Sequence, residues 1–123
     1  MASVRVPVAH MVTQVQLARA EEEASIRDKQ AERVAAYPPA LKEWKATARA
    51  QVGVLQKAIT AGEGNFYRLT NIGDPPHKPL SGKEFEEYVA RNLRPYERDL
   101  AILAATSQET LSVSTGSDWA RYL

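Results

Sequence analysis

The chain contains no cysteine, which excludes disulfides, thiolate catalysis and every cysteine-based metal site. The lack of thiols also suits a reducing compartment. Only two histidines are present, His10 and His77. They lie in different segments with no ligand spacing to a third group, so no zinc site can be named. No apolar run approaches the roughly eighteen residues a membrane-spanning helix needs. The opening "MASVRVPVAHMV" has neither a long apolar run nor a clear cleavage site, so no signal peptide is expected. Sixteen Lys and Arg against fifteen Asp and Glu leave a net charge of +1. That removes a global basic field, so duplex nucleic acid is disfavoured as a partner and no membrane partner is expected. The expectation is a soluble, cytoplasmic chain without a cofactor.

What is present suffices for one domain, residues 1–123. The composition is 44% apolar and 25% charged, and a chain of 123 residues can bury a core without metals or crosslinks. Residues 3–9, "SVRVPVA", alternate and are β-branched, which predicts a strand. Pro7 cannot donate to a ladder, so that strand should lie at an edge or turn position 7 away from its partner. From 10 to 36 the composition is that of a helix, rich in Ala, Glu, Gln and Arg. Met11, Val12, Val15 and Ala18 make its start apolar. Its second half is mostly charged, with a Glu23–Arg27 pair at helical spacing, and should be solvated or thinly packed.

Two consecutive prolines, Pro38 and Pro39, follow Tyr37. The residue before a proline is pushed out of the helical region, and a proline suits the first turn of a new helix. The reading is therefore a helical hairpin turning at "YPP", with a kinked continuous helix as the alternative. The second arm, 40–60, carries Leu41, Trp44, Ala48, Val52, Leu55 and Ile59 on one stripe, to be packed back against the first arm. Gly62 and Gly64 should end it. Residues 62–82 form a long connection whose aromatic half should pack and whose "GDPPHKP" should be exposed. Ser81 and Glu84 have capping-box spacing before a short helix at 83–92. A further helix is expected at 95–105, with Pro95 in its first turn, and a strand at 109–115. Ser117 reads as a cap before "DWARYL", and Trp44 and Trp119 as core residues, with an interface as the alternative for both. The fold class is thus α+β and mostly helical: a long helical hairpin, two shorter helices and a small two-stranded β element pairing the N- and C-terminal segments.

Several short patterns invite a chemical reading. Gly82-Lys83 resembles the end of a phosphate-binding loop, but His77 and Glu84 stand where glycine and Ser/Thr are required. Glu21, Glu22 and Glu23 fan around a helix instead of converging, as do Glu86 and Glu87. Ser107, Ser112, Ser114 and Ser117 sit in no nucleophile-elbow pattern and fit strand and cap positions. No catalytic residue follows, and the chain is read as a non-enzyme. The basic residues carry more. Lys42, Lys45 and Arg49 share one helix face, Arg91, Arg94 and Arg98 repeat that spacing, and Arg68 and Lys78 lie in the long connection beside Tyr67. Were they to converge, they would suit a small anionic nucleotide. The competing reading is surface charge matched by the fifteen acidic residues.

The order of features also resembles small accessory proteins of tailed bacteriophages. The resemblance is carried by Tyr37, Pro38, Leu41 and Trp44, and by Tyr96, Glu97, Arg98, Asp99, Leu100 and Leu103 in "YERDLAIL". It covers most of the chain and implies an α+β accessory protein with no known reaction. The favoured role is to bind a host or phage protein in the host cytoplasm, as a homo-oligomer. Two other roles stand beside it: a sponge for a nucleotide-derived immune signal, motivated by the two basic stripes and the Arg, Lys and aromatic content of the long connection, and a capsid or tail component of the virion. The homo-oligomer is suggested independently by the thin sheet, since a lone two-stranded ribbon is marginal in water.

Overall fold

The first strand, β1, covers Ser3–Pro7, and the long helix α1 follows immediately at Val8–Thr60. Helix α2 is Gly82–Ala105, strand β2 is Thr110–Ser114, and one 3-10 turn closes the chain at Asp118–Tyr122. The computed structural model describes residues 2–62 and 73–123. The protein is α+β and mostly helical, and its two strands join the N- and C-terminal segments as one antiparallel pair. The chain divides into two compact units, Met1–Asp28 with Ser81–Leu123, and Lys29–Leu80.

The first unit holds the core. Val6 of β1, Met11 and Val15 of α1, Leu103 of α2, Val113 of β2 and Tyr122 form one buried cluster. Met11 and Val15 are completely buried. The apolar start read at Met11, Val12, Val15 and Ala18 is the face that enters this cluster. Trp119 packs on its margin. Beyond Ala18 the inward line of α1 turns polar, and contact with α2 passes to charges. Arg19 pairs with Glu97, and Arg27 makes a two-pronged contact with Glu86 at 3.0 and 3.1 Å. Glu23 sits between the two arginines, 3.7 Å from Arg19 and 3.6 Å from Arg27. The Arg27 guanidinium also lies 5.8 Å from the centre of the Phe85 ring. As α1 advances from 19 to 27 its partners on α2 retreat from 97 to 86, so the two helix segments run antiparallel.

These pairs are exposed and contribute little each. The hydrogen bonds from Arg27 hold the Glu86 carboxyl below the usual carboxylate range. A lowered carboxylate stabilises the folded state above its unfolded pKa, and that contribution is lost as pH falls through the folded value. Glu86→Gln should therefore flatten a small acid-side loss of stability in urea titrations compared across the carboxylate range. An unchanged acid limb would show the pair to be thermodynamically silent.

The hairpin expected at Tyr37-Pro38-Pro39 does not form, because α1 continues through both prolines. Proline's fixed φ is already helical; its cost is the missing N–H and the crowding of the carbonyl four residues back. Those carbonyls belong to Val34 and Ala35, both on exposed residues where water can serve them. The alternative of a continuous helix is the one realised, and the Trp44 stripe is not folded back on an earlier arm. The break expected at Pro95 is absent for the same reason. Helix α2 is one element where two were expected. The carbonyl left without a donor belongs to exposed Arg91. Val89, Leu93, Asp99 and Leu103 stay on one buried face across the proline, and that packing outweighs the local cost of about 3 kcal/mol.

In the second unit the inward line of α1 is Leu41, Trp44, Ala48, Gln51, Leu55 and Ala58. Its spacing of 3, 4, 3, 4, 3 differs from the expected stripe at its end. Val52 and Ile59 lie outside it at 61% and 57% exposure. A seam repeating every 3.5 residues falls behind a straight 3.6-residue stripe by about 20° every two turns, so over the five steps from Leu41 to Ala58 the lag is about half a residue. The Trp44 indole N–H donates to the Gly73 carbonyl at 3.2 Å, and the Gln30 amide donates to the Leu80 carbonyl. Helix α1 ends where Gly62 takes a φ of 76°, a conformation glycine adopts without steric cost. Gly64 and the aromatic half of the connection, with Phe66, Tyr67, Leu69 and Ile72, lie outside the described residues. "GDPPHKP" is largely exposed, as expected.

Candidate functional site: an open sheet edge beside an apolar hollow

The strand pair aligns Ser3 with Ser114, Val4 with Val113, Arg5 with Ser112, Val6 with Leu111 and Pro7 with Thr110. In an antiparallel pair, residues facing each other alternate between exchanging hydrogen bonds and pointing their backbone groups outward. The phase is set by two bonds at the ends: Val8 N–H to Glu109 O at 2.8 Å, and Thr115 N–H to Ala2 O at 3.0 Å. The bonded pairs are therefore 2/115, 4/113, 6/111 and 8/109. Ser3, Arg5 and Pro7 turn their backbone groups away from β2, so the missing N–H of Pro7 costs the ladder nothing. The sequence expectation for Pro7 is met.

The same parity defines the two free edges. That of β1 is blunted, because Pro7 has no N–H and Arg5 places a charge there. That of β2 carries the backbone groups of Thr110, Ser112 and Ser114, with no charge and no proline. The Ser114 carbonyl accepts the Ser117 N–H at 3.0 Å and the Ser117 hydroxyl at 2.7 Å. The outward groups of Thr110 and Ser112 have no hydrogen-bond partner among the described residues. Ser117 sits at the N-cap of the 3-10 turn without a side-chain cap bond, its hydroxyl being spent on Ser114. Ser81 similarly occupies the N-cap of α2 without the side-chain bond that its spacing to Glu84 suggested.

Beside this open edge is an apolar hollow of about 410 Å³. Met11, Leu103, Leu111 and Val113 line it toward the core, with Ile102 and Trp119 also contributing to the wall. Ile102 is 51% exposed.

Among the described residues the first unit has one buried charged group, Asp99. Asp99 is 5% exposed and accepts two bonds on one oxygen, from Arg121 at 2.8 Å and from the Tyr122 hydroxyl at 2.7 Å. Arg98 stands 3.8 Å from the other oxygen. The Arg121 guanidinium lies 4.7 Å from the centre of the Tyr122 ring, which is 5.8 Å from that of Trp119. Burial, reinforced by the bond to Asp99, pushes the Tyr122 hydroxyl up to about 12. The bond to Asp99 raises the already high pKa of Arg121. The arrangement ties the last turn of the chain to α2 and holds Trp119 against the hollow. An acid between Tyr96, Leu100 and Leu103 on an otherwise apolar face was the sequence signal for this cluster, since a buried carboxylate needs donors.

The basic residues singled out from the sequence are distributed between the two units. Lys42, Lys45 and Arg49 line one shallow hollow of about 380 Å³ on α1 with Pro38, Leu41 and Ala46. Lys78 is exposed in the same unit, in the segment after Gly73. Arg91, Arg94 and Arg98 are exposed on α2 in the other unit, and the Arg91 guanidinium lies 6.0 Å from the Tyr88 ring centre. Tyr67 and Arg68 lie outside the described residues. Both histidines are exposed, His10 in the first turn of α1 and His77 after Gly73. Among the described residues no helix is long and apolar enough to cross a membrane. No family model, curated protein or solved structure matches the chain.

Proposed function

We propose that this chain is a non-enzymatic accessory protein of the tailed-bacteriophage type, which self-associates and acts by binding a host or phage protein. The observation that carries the reading is the unpaired edge of β2 running beside the apolar hollow of the first unit. Free backbone donors and acceptors next to an apolar recess suit an extended protein segment: the edge supplies hydrogen bonds and the recess takes alternate side chains. The phage-type assignment rests on the sequence pattern from Tyr37 to Trp44 and from Tyr96 to Leu103.

A second reading is favoured by one observation in the other unit. Lys42, Lys45 and Arg49 share a single hollow, and three cations around one recess suit a phosphate-bearing ligand such as a nucleotide signal. Native mass spectrometry on protein purified from its host separates the two. The first reading expects an oligomer with no added mass. The second expects a stoichiometric excess of a few hundred daltons that Lys45→Ala with Arg49→Ala removes. A monomer at micromolar concentration, confirmed by light scattering, sinks the self-association in the first.

A further inference from the structure

We infer that the occupant of the β2 edge is β2 of a second copy of this chain, joined antiparallel about a two-fold axis at Ser112 to make a four-stranded sheet. The inference rests on the self-association proposed above and names its interface.

Three features of the strand select this occupant. First, the outward groups are self-complementary. With Ser112 opposite Ser112 of the second copy, each N–H meets the other's carbonyl, and each Ser114 N–H meets a Thr110 carbonyl. That makes four backbone bonds before any shared use of the Ser114 carbonyls, which already serve Ser117. Second, the side-chain phase matches. Leu111 of one copy falls opposite Val113 of the other, on the face that already carries the core. The neighbouring hollow, walled by half-exposed Ile102 and by partly buried Trp119, is where those apolar side chains would be received. Third, the strand "TLSVS" has no charge to repel its own image, whereas the outer edge of β1 has both Arg5 and Pro7. Only one of the two edges is left able to pair. The product satisfies the need for more than two strands, and a two-fold join is the commonest way for identical chains to meet.

Ser112→Pro tests this cleanly. The Ser112 N–H points outward, so proline there removes no bond within the chain, just as Pro7 removes none across the sheet. It does remove both central bonds of the join. The wild type should sediment as a dimer at micromolar concentration. Ser112→Pro should raise the dimer dissociation constant by about 100-fold while leaving the far-ultraviolet dichroism unchanged. If the variant misfolds, Ser112→Cys gives an independent reading in this cysteine-free chain. The two Cα atoms at a hydrogen-bonded pair are about 5.5 Å apart, within disulfide reach, so mild oxidation should yield a covalent dimer. Exposed Ser107→Cys should not.

A wild type that stays monomeric overturns both the self-association and this interface. A wild-type dimer that Ser112→Pro leaves within threefold of its original affinity overturns the interface alone. So does a dimer that Ser112→Cys fails to crosslink.

Discussion

Met11→Ala is expected to destabilise the first unit by about 2–5 kcal/mol. Met11 is completely buried, in one cluster with residues from both strands, α2 and the C-terminal turn. Truncation loses the transfer free energy of the side chain and leaves a space that β1, held by its ladder to β2, can only partly close. Domains of this size are stable by only about 5–15 kcal/mol, so the loss is a large share of the total. Urea denaturation followed by far-ultraviolet dichroism measures it. Leu17→Ala is the internal control: Leu17 is 52% exposed on the same helix and should change stability by less than about 0.5 kcal/mol. Equal effects at the two positions would mean that the face of α1 assigned to the core is wrong.

The second large effect lies at the Asp99 cluster. Asp99→Ala should cost about 2–4 kcal/mol, because it leaves the buried Tyr122 hydroxyl without its acceptor and the Arg121 guanidinium without its carboxylate. Tyr122→Phe removes the hydroxyl itself and should cost less, about 1–2 kcal/mol, since Arg121 still serves Asp99. The two variants also differ in pH dependence. The folded-state pKa of Tyr122 is raised from 10.0 to about 12. A raised acid stabilises the fold below its unfolded pKa, and that stability is lost as pH rises from about 10 through about 12. Two pKa units correspond to about 2–3 kcal/mol. Wild-type stability should fall across that window more steeply than that of Tyr122→Phe, which keeps every other titrating group. Parallel curves would show that the Tyr122 hydroxyl titrates as it does in the unfolded chain.

The candidate site was only half visible beforehand. Alternation in "TLSVS" marks a strand, and Pro7 marks a strand with one position turned away from its neighbour. Which edge of the pair stays open depends on the hydrogen-bond phase, which is a property of the register between segments more than a hundred residues apart. The hollow beside it depends on where α2 ends and where Trp119 is held, and that in turn depends on Asp99 finding Arg121 and Tyr122. The basic stripes were legible as local spacing on each helix. Their division between two units was not, because spacing along one helix carries no information about another.

Local periodicity, which a few residues suffice to express, carries the α+β class, the two strands and the apolar face from Met11 to Ala18. The pairing of the chain ends was readable only because each strand had one candidate partner. The sequence by itself did not determine what happens at the prolines. Local rules favour a break at Pro38-Pro39 and at Pro95, because each proline forfeits a helical hydrogen bond. The tertiary structure decided otherwise at Pro95 by holding Val89, Leu93, Asp99 and Leu103 on one buried face across it. At Pro38-Pro39 it left the unserved carbonyls of Val34 and Ala35 on exposed residues, where water can replace the lost donors. The physical reason is one of scale. A missing N–H is a local cost of a few kcal/mol, and whether a helix survives it depends on packing and solvation that no short window of sequence contains.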